Sequence, residues 1–275
     1  MNTAGSPPVP PVAITREQID RYHEEGYLVL ERAIDDDTLQ MLREECSYFM
    51  GYMDAVMDAE GLDRKGIHRR GNRYFVSNRY HLSPRLWRFV YGEVMAGVCR
   101  AALGPDVYLF NEQWVVKAAE TGGAFAWHQD SGYVKNRDRQ TTHRPYLSCW
   151  CALDDVDESN GTVYVLPHSR GGTRAMIIDH VRDAAEHDLI GYHGDDPGVP
   201  MVVPAGSVVA FTSYNFHRSG PNTTGRARRA YLTQYSAEPI LDADGGLWSQ
   251  AVPFVRDGAV VYDHAADLAE RQARA

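Results

Sequence analysis

Hydrophobic and polar positions divide the chain into a helical first third and a strand-rich remainder. Thr15-Arg16-Glu17-Gln18 sets a capping hydroxyl three residues before a glutamine, which predicts a helix start. That helix is expected to run to about His23 and stop near Gly26, with Tyr27-Leu28-Val29-Leu30 following as a short strand. Asp35-Asp36-Asp37 then caps a longer helix whose apolar residues Leu39, Leu42, Cys46 and Phe49 recur at helical spacing. Residues 51–80 are polar and arginine- and glycine-rich with little periodicity, so they read as an extended loop or lid. Leu86, Phe89, Val90, Val94 and Val98 mark one further helix ending near Gly104-Pro105.

From Val107 the pattern changes. Short β-rich runs fall at 107–118, 124–130, 146–153, 162–166, 200–203, 207–212 and 228–236, punctuated by Gly, Pro, Asn and Asp. Many short strands separated by turn signals predict a sandwich or barrel. Residues 170–199 read as an excursion near the barrel mouth, with some helix around 180–190. The domain reading is one unit: a flexible leader at 1–13, a helical flank and lid at 14–105, a barrel core at 106–240 and a C-terminal extension at 241–275.

Composition narrows the function. The chain has 275 residues, 44% hydrophobic and 24% charged, enough for a sizeable core. Its formal net charge is −9 with Lys and Arg scattered, which argues against nucleic acid or an anionic membrane as partner. Cys149 and Cys151 alternate within an apolar run and are expected on one face of a strand as buried, reduced thiols. No basic and apolar signal opens the sequence and no run nears the ~20 residues of a membrane span, so a cytoplasmic location is expected.

Two segments carry chemistry. In Trp127-His128-Gln129-Asp130, the period of a strand directs His128 and Asp130 to one side and Gln129 to the other. Imidazole and carboxylate suit Fe(II), and His217 in Phe216-His217-Arg218-Ser219-Gly220-Pro221-Asn222 would complete a facial triad. The same segment reads as a hairpin returning through Arg226-Ala227-Arg228-Arg229-Ala230-Tyr231. An arginine on the return strand, Arg228 or its same-side neighbour Arg226, can pair a carboxylate through its planar fork. A 2-oxo dicarboxylate needs such a cation for its far end.

With these residues in place the chain resembles the phytanoyl-CoA dioxygenase-like branch of Fe(II)/2-oxoglutarate oxygenases, from Thr15 to about Tyr235. Q-W-V-V-K, W-H-Q-D, L-S-C-W-C-A-L-D-D-V-D-E-S-N-G and F-H-R-S-G-P-N-T-T-G-R-A-R-R-A match that family's motifs in order. The resemblance implies a mainly β fold with flanking helices around a double-stranded β-helix, or jelly roll. It implies His128, Asp130 and His217 as catalytic metal ligands, and Arg228, Ser219, Trp150, Gln113 and Lys117 as 2-oxoglutarate contacts. Gln129 stands behind the ligands. Tyr133, Tyr146 and His168 are candidate substrate contacts. Fe(II), 2-oxoglutarate and O2 are the implied cofactor and cosubstrates, with ascorbate supportive, and the products are succinate, CO2 and a hydroxylated small molecule, a secondary metabolite before an acyl-CoA. The family's K-P-P and P-G-S-H are replaced here by Lys117-Ala118-Ala119 and Pro167-His168-Ser169-Arg170, which unsettles any inherited substrate. Retention of Asp130 favours hydroxylation over halogenation. A non-catalytic metal-binding barrel and a zinc hydrolase are the alternatives. A monomer or homodimer is expected.

Overall fold

The computed structural model describes residues 13–183 and 188–274. The expected leader therefore lies almost wholly outside the described residues. Helix α1 (Arg16–Glu25) opens with both halves of its capping box formed between Thr15 and Gln18. It ends at Gly26 in the left-handed region, φ +83°, where a Cβ would collide with Asn215 and His168. Strand β1 (Tyr27–Leu30) leads to α2 (Asp36–Glu60), N-capped by the Asp35 carboxylate, which accepts from Thr38 N–H at 2.8 Å. Its buried stripe of Leu39, Leu42, Cys46, Phe49, Met53 and Met57 extends the expected periodicity two turns further than the sequence suggested.

The remainder of 51–80 is not a loop. After a two-residue hairpin it forms β2 (Arg73–Ser77), which adds to the large sheet. The helix expected over 86–104 is two pieces, Leu86–Val90 and α3 (Glu93–Leu103), broken at Tyr91-Gly92. The chain then builds β3 (Val107–Lys117), β4 (Phe125–His128), α4 (Asp130–Arg137), β5 (Leu147–Ala152), β6 (Val163–Leu166), β7 (Val199–Pro200), β8 (Val208–Thr212), β9 (Phe216–Ser219), β10 (Arg228–Ser236) and β11 (Val252–Arg256). Around 180–190 the described residues pair Val181–Arg182 with Leu189–Ile190 as strands instead of helix; residues 184–187 lie outside the description.

Two antiparallel sheets face each other as a jelly roll. The larger runs β1-β8-β5-β10-β3-β2, with β11 also paired to the start of β3. The smaller runs β7-β6-β9-β4. The expected hairpin between the His217 strand and the Arg228 strand does not exist: β9 pairs with β4 and β6, and β10 pairs with β3 and β5. The intervening turn carries the chain from one sheet to the other. Strand alternation divides the core accordingly. Cys149, Cys151, Ala210 and Tyr231 face outward onto α2 and α3, while Trp150, Ala152, Val209, Phe211 and Leu232 meet the smaller sheet. The paired cysteines on one apolar face agree with the sequence, and all four thiols are buried and free.

Candidate active site

The gap between the sheets opens as a cavity of about 520 Å³. His128, Asp130 and His217 stand on its wall with ligand atoms within 4.8 Å of one another. His128 closes β4 and pairs directly across from His217 on β9, so register alone brings the rings to a centroid distance of 4.1 Å. Asp130 is not on a strand as expected. It is the first residue of α4, preceded by Gln129 in an extended conformation. The extended step still turns Gln129 away from the ligands, while the helix N-terminus favours a carboxylate there.

Each donor is aimed. Nδ1 of His128 meets the Ala126 carbonyl at 2.8 Å and Nδ1 of His217 meets the Asn215 carbonyl at 3.3 Å, leaving both Nε2 atoms for the centre. Those atoms lie 3.8 and 3.5 Å from Asp130 Oδ1. Asp130 Oδ2 accepts instead from Ser148 Oγ and, at 2.9 Å, from Gln234 Nε2. Burial pushes His128 down to about 3, with His217 adding to the effect, and His217 down to about 4, so both imidazoles are neutral ligands. Burial raises the Asp130 carboxyl. Two neutral imidazoles, one carboxylate oxygen and an open side toward the cavity fit a divalent iron with free coordination positions.

Gln129 braces the loop behind the ligands. Its amide donates to the Met176 and Tyr214 carbonyls, its oxygen accepts from Ile178 N–H, and its backbone N–H donates to His180 Nε2 at 2.8 Å. His180, Ser148 and Gln234 were not singled out from the sequence.

Arg228 opens β10 opposite Lys117 and is 1% exposed. Nη1 donates to the Val115 carbonyl at 3.0 Å, and the guanidinium carbon lies 5.4 Å from the Trp150 ring centre. Its Nε has no partner, and among the described residues no carboxylate pairs with it. Asp154, whose charge acts on Arg228 from outside the cavity, is held by Arg229. Burial lowers Arg228 to about 10. A buried cation with an unsatisfied donor on a cavity wall fits the carboxylate of a dicarboxylic cosubstrate. Arg226 is exposed in the turn and does not line the cavity, which separates the two arginines left open by the sequence.

Ser219, Trp150 and Gln113 line the same cavity, as do Tyr133 and Tyr146. Lys117 lines it too, but its amine donates to the Gly123 and Gly220 carbonyls, and burial together with Arg228 and Arg73 lowers it to about 6. His168 is a correction. It starts a short helical turn, packs beneath Gly26, and its ring nitrogens meet Thr173 and Thr212 hydroxyls at 3.3 and 3.4 Å, away from the cavity.

A jelly roll with this three-donor cluster and a buried arginine defines a non-haem iron/2-oxoglutarate oxygenase. The chain belongs to the phytanoyl-CoA dioxygenase (PhyH) family, whose model matches residues 22–230. It is 26% identical over 241 residues to the ectoine dioxygenase of Bordetella parapertussis, covering 82% of this chain and 76% of that one. The crystal structure of EctD from S. alaskensis with 2-oxoglutarate and 5-hydroxyectoine is 22% identical, with a TM-score of 0.63 over 87% of this chain and 85% of its own. The 2-oxoglutarate-dependent epimerase SnoN from nogalamycin biosynthesis is 17% identical, with a TM-score of 0.64 over 90% and 94%. Among the described residues no helix is long and apolar enough to cross a membrane.

Proposed function

We propose that this oxygenase hydroxylates an aliphatic carbon of a small molecule, with His128, Asp130 and His217 holding the iron and Arg228 pairing the far carboxylate of 2-oxoglutarate. The observation that carries the reading is the arrangement of the ligand cluster and the unpaired, buried Arg228 on one cavity. When bound, iron supplies the activation of dioxygen coupled to oxidation of 2-oxoglutarate, one oxygen atom leaving in succinate and the other in the alcohol, with CO2 released.

The chain's own residues do the rest. Ala126 and Asn215 carbonyls fix both rings, while Ser148 and Gln234 hold the Asp130 carboxylate with one oxygen turned to the metal. Trp150, Phe211, Val163 and Leu232 wall the space beside Arg228 and keep water from it. Ser219 and Gln113 offer it a hydroxyl and an amide. Lys117, committed to the Gly123 and Gly220 carbonyls, shapes the turn next to Arg228, and with its amine lowered to about 6 it leaves Arg228 as the cation at the cosubstrate end. Tyr133 and Tyr146 face the substrate side.

A zinc hydrolase would leave Arg228 without a task. A non-catalytic barrel would not form succinate. The test is anaerobic addition of Fe(II) and 2-oxoglutarate with ascorbate, which should give a weak visible charge-transfer band that requires His217. Absence of that band in the native chain refutes the proposal. A single oxygenase unit, cytoplasmic and monomeric or homodimeric, completes the reading, and size-exclusion chromatography checks the assembly.

A further inference from the structure

The cavity extends well beyond the ligands and Arg228, and its outer part has a definite chemistry. Two aromatic walls line it. Phe75 and Phe125 lie 5.4 Å apart by ring centres on one side. On the other, Phe110 lies 4.7 Å from Tyr146 and 5.6 Å from Trp248. Asn111 and Gln113 also line the chamber from β3. Asn111 gives its amide N–H to Gln234 at 2.9 Å, and the Gln113 oxygen accepts from Ser77 at 3.2 Å. The Asn111 carbonyl and the Gln113 amide nitrogen remain for a ligand, one acceptor and one donor, both neutral.

Two guanidinium groups flank the aromatic walls. Arg73 is ion-paired with buried Asp188 at 3.1 Å, and its guanidinium lies over Phe75 and Phe125 at 5.9 and 5.7 Å. Arg137 lies over Trp248 at 5.0 Å. Among the described residues lining the cavity, the single carboxylate is Asp130, turned to the histidines, Ser148 and Gln234. A cationic substrate would find no counter-charge, and the faces of Phe75, Phe125 and Trp248 already carry guanidinium groups. An apolar ring with neutral oxygens satisfies both the walls and the amides.

Trp248 and Ser249 reach this chamber from beyond residue 230, where the match to the family model ends. Their segment is clamped. Gln250 donates to Asn78 at 3.2 Å and accepts from Arg271 at 3.1 Å. Arg271, Tyr80 and Tyr262 converge on buried Asp267 at 2.9, 2.6 and 3.0 Å. The Trp248 indole N–H is itself without an acceptor, a donor that a small tilt of the ring would offer to a ligand oxygen.

We propose that the outer chamber takes a neutral, oxygen-rich ring compound, and that Trp248, presented by the C-terminal segment, determines specificity for it. The proposal rests on the oxygenase reading only for which end of the substrate reacts. Three probes of similar ring size separate the charge classes: phenyl β-D-glucoside (neutral), benzoate (anionic) and phenyltrimethylammonium (cationic). Each is titrated calorimetrically into the anaerobic protein loaded with Fe(II) and 2-oxoglutarate, whose visible band reports cosubstrate binding separately. The glucoside should bind at millimolar concentrations, at least tenfold more tightly than either charged probe. Trp248→Ala should weaken it at least tenfold, and Trp248→Phe should restore part of the loss. Should Trp248→Ala fail to fold, Trp248→Leu carries the same expectation. No glucoside binding, a charged probe binding equally well, or unchanged affinity in the variant would overturn the inference. Loss of the visible band in the native chain would instead overturn the oxygenase reading.

Discussion

Replacing Arg228 with methionine should move cosubstrate binding and stability in opposite directions. The guanidinium is buried, makes one hydrogen bond to Val115, leaves Nε without a partner and has no carboxylate beside it. Burial lowers it from 12.5 to about 10. At about 1.4 kcal/mol per pH unit, that is a penalty of about 3 kcal/mol on the charged form in the folded chain. Both folded and unfolded chains are protonated at neutral pH, so the penalty is present in full there. Methionine removes it and loses one hydrogen bond from a charged donor to a carbonyl, worth about 1.5–3 kcal/mol. The net gain is therefore about 0–2 kcal/mol, or a rise of at most a few degrees in melting temperature for a chain of this size. Replacing an unpaired buried charge with an apolar group of like volume is the general case of this gain. Binding goes the other way. A desolvated guanidinium–carboxylate pair is worth about 2–5 kcal/mol to a ligand, so 2-oxoglutarate affinity should fall by about 30- to 5,000-fold while Fe(II) affinity holds. Thermal unfolding of the metal-free protein and a 2-oxoglutarate titration of the Fe(II) form, followed by the visible band, measure the two effects. A variant that melts several degrees lower yet binds 2-oxoglutarate normally would make Arg228 a structural residue and refute the reasoning.

Other consequences concern the ligands. His217→Ala should abolish Fe(II) binding in an anaerobic titration, because two donors cannot replace a facial set of three; retained micromolar binding would place the metal elsewhere. Gln234→Leu and Ser148→Ala each remove one donor from Asp130 Oδ2 and should weaken Fe(II) binding about 10- to 100-fold, leaving the Arg228 end of the cavity intact. Equal loss of 2-oxoglutarate affinity at fixed iron saturation would show that they support more than the metal ligand. In the metal-free chain, His128 and His217 are held neutral to about 3 and about 4 while the unfolded chain protonates near 6.5. The unfolded state therefore binds more protons below 6.5, and their contribution to stability is full above that pH and is lost as pH falls. By pH 4.5 the two together cost about 5 kcal/mol, opposed in part by the raised Asp130 carboxyl. Urea midpoints should fall steadily from pH 7 to 4.5, and the double variant His128→Gln/His217→Gln should flatten that slope. An unchanged slope would refute the assignment to these rings.

What was legible in the sequence followed the local periods. The strands from 107 to 236 were readable because alternation and turn residues are properties of a few neighbours, and the capping box and the Asp35 cap sit within single helical turns. The ligand set was legible because imidazole and carboxylate types recur with their motifs. Partner choice between strands was not. Phe216-His217 and Arg228-Arg229 flank a Gly-Pro-Asn turn that reads as a hairpin, yet one strand belongs to each sheet, and only burial of both sheet faces together decides that. The stretch holding β2 reads as a lid because it is polar, rich in arginine and glycine and without a clear period; within it the charge of Arg73 is paired by Asp188, over a hundred residues away. His168 was expected at the mouth from its flanking motif, but the left-handed turn at Gly26 leaves the space that its ring fills. Ser148 and Gln234 could have been found by parity. Ser148 shares a face with Trp150, and Gln234 shares one with Arg228 three alternations earlier.

The absent hairpin bears directly on how the site works. Because β9 and β10 lie in different sheets, His217 reaches the cavity from the smaller sheet and Arg228 from the larger. His128 shares the sheet of His217, and register alone fixes that pair. Asp130 is the bridge: it begins a helix just beyond the smaller sheet, while its outer oxygen is held by Ser148 and Gln234 on the larger one. The carboxylate thus couples the metal position to the sheet that carries Arg228. Weakening either donor should loosen that coupling before it disturbs either histidine, whose Nδ1 contacts lie wholly on its own side. Cosubstrate geometry therefore depends on the packing between the sheets, through Phe211, Val163 and Leu232, as well as on the ligands themselves.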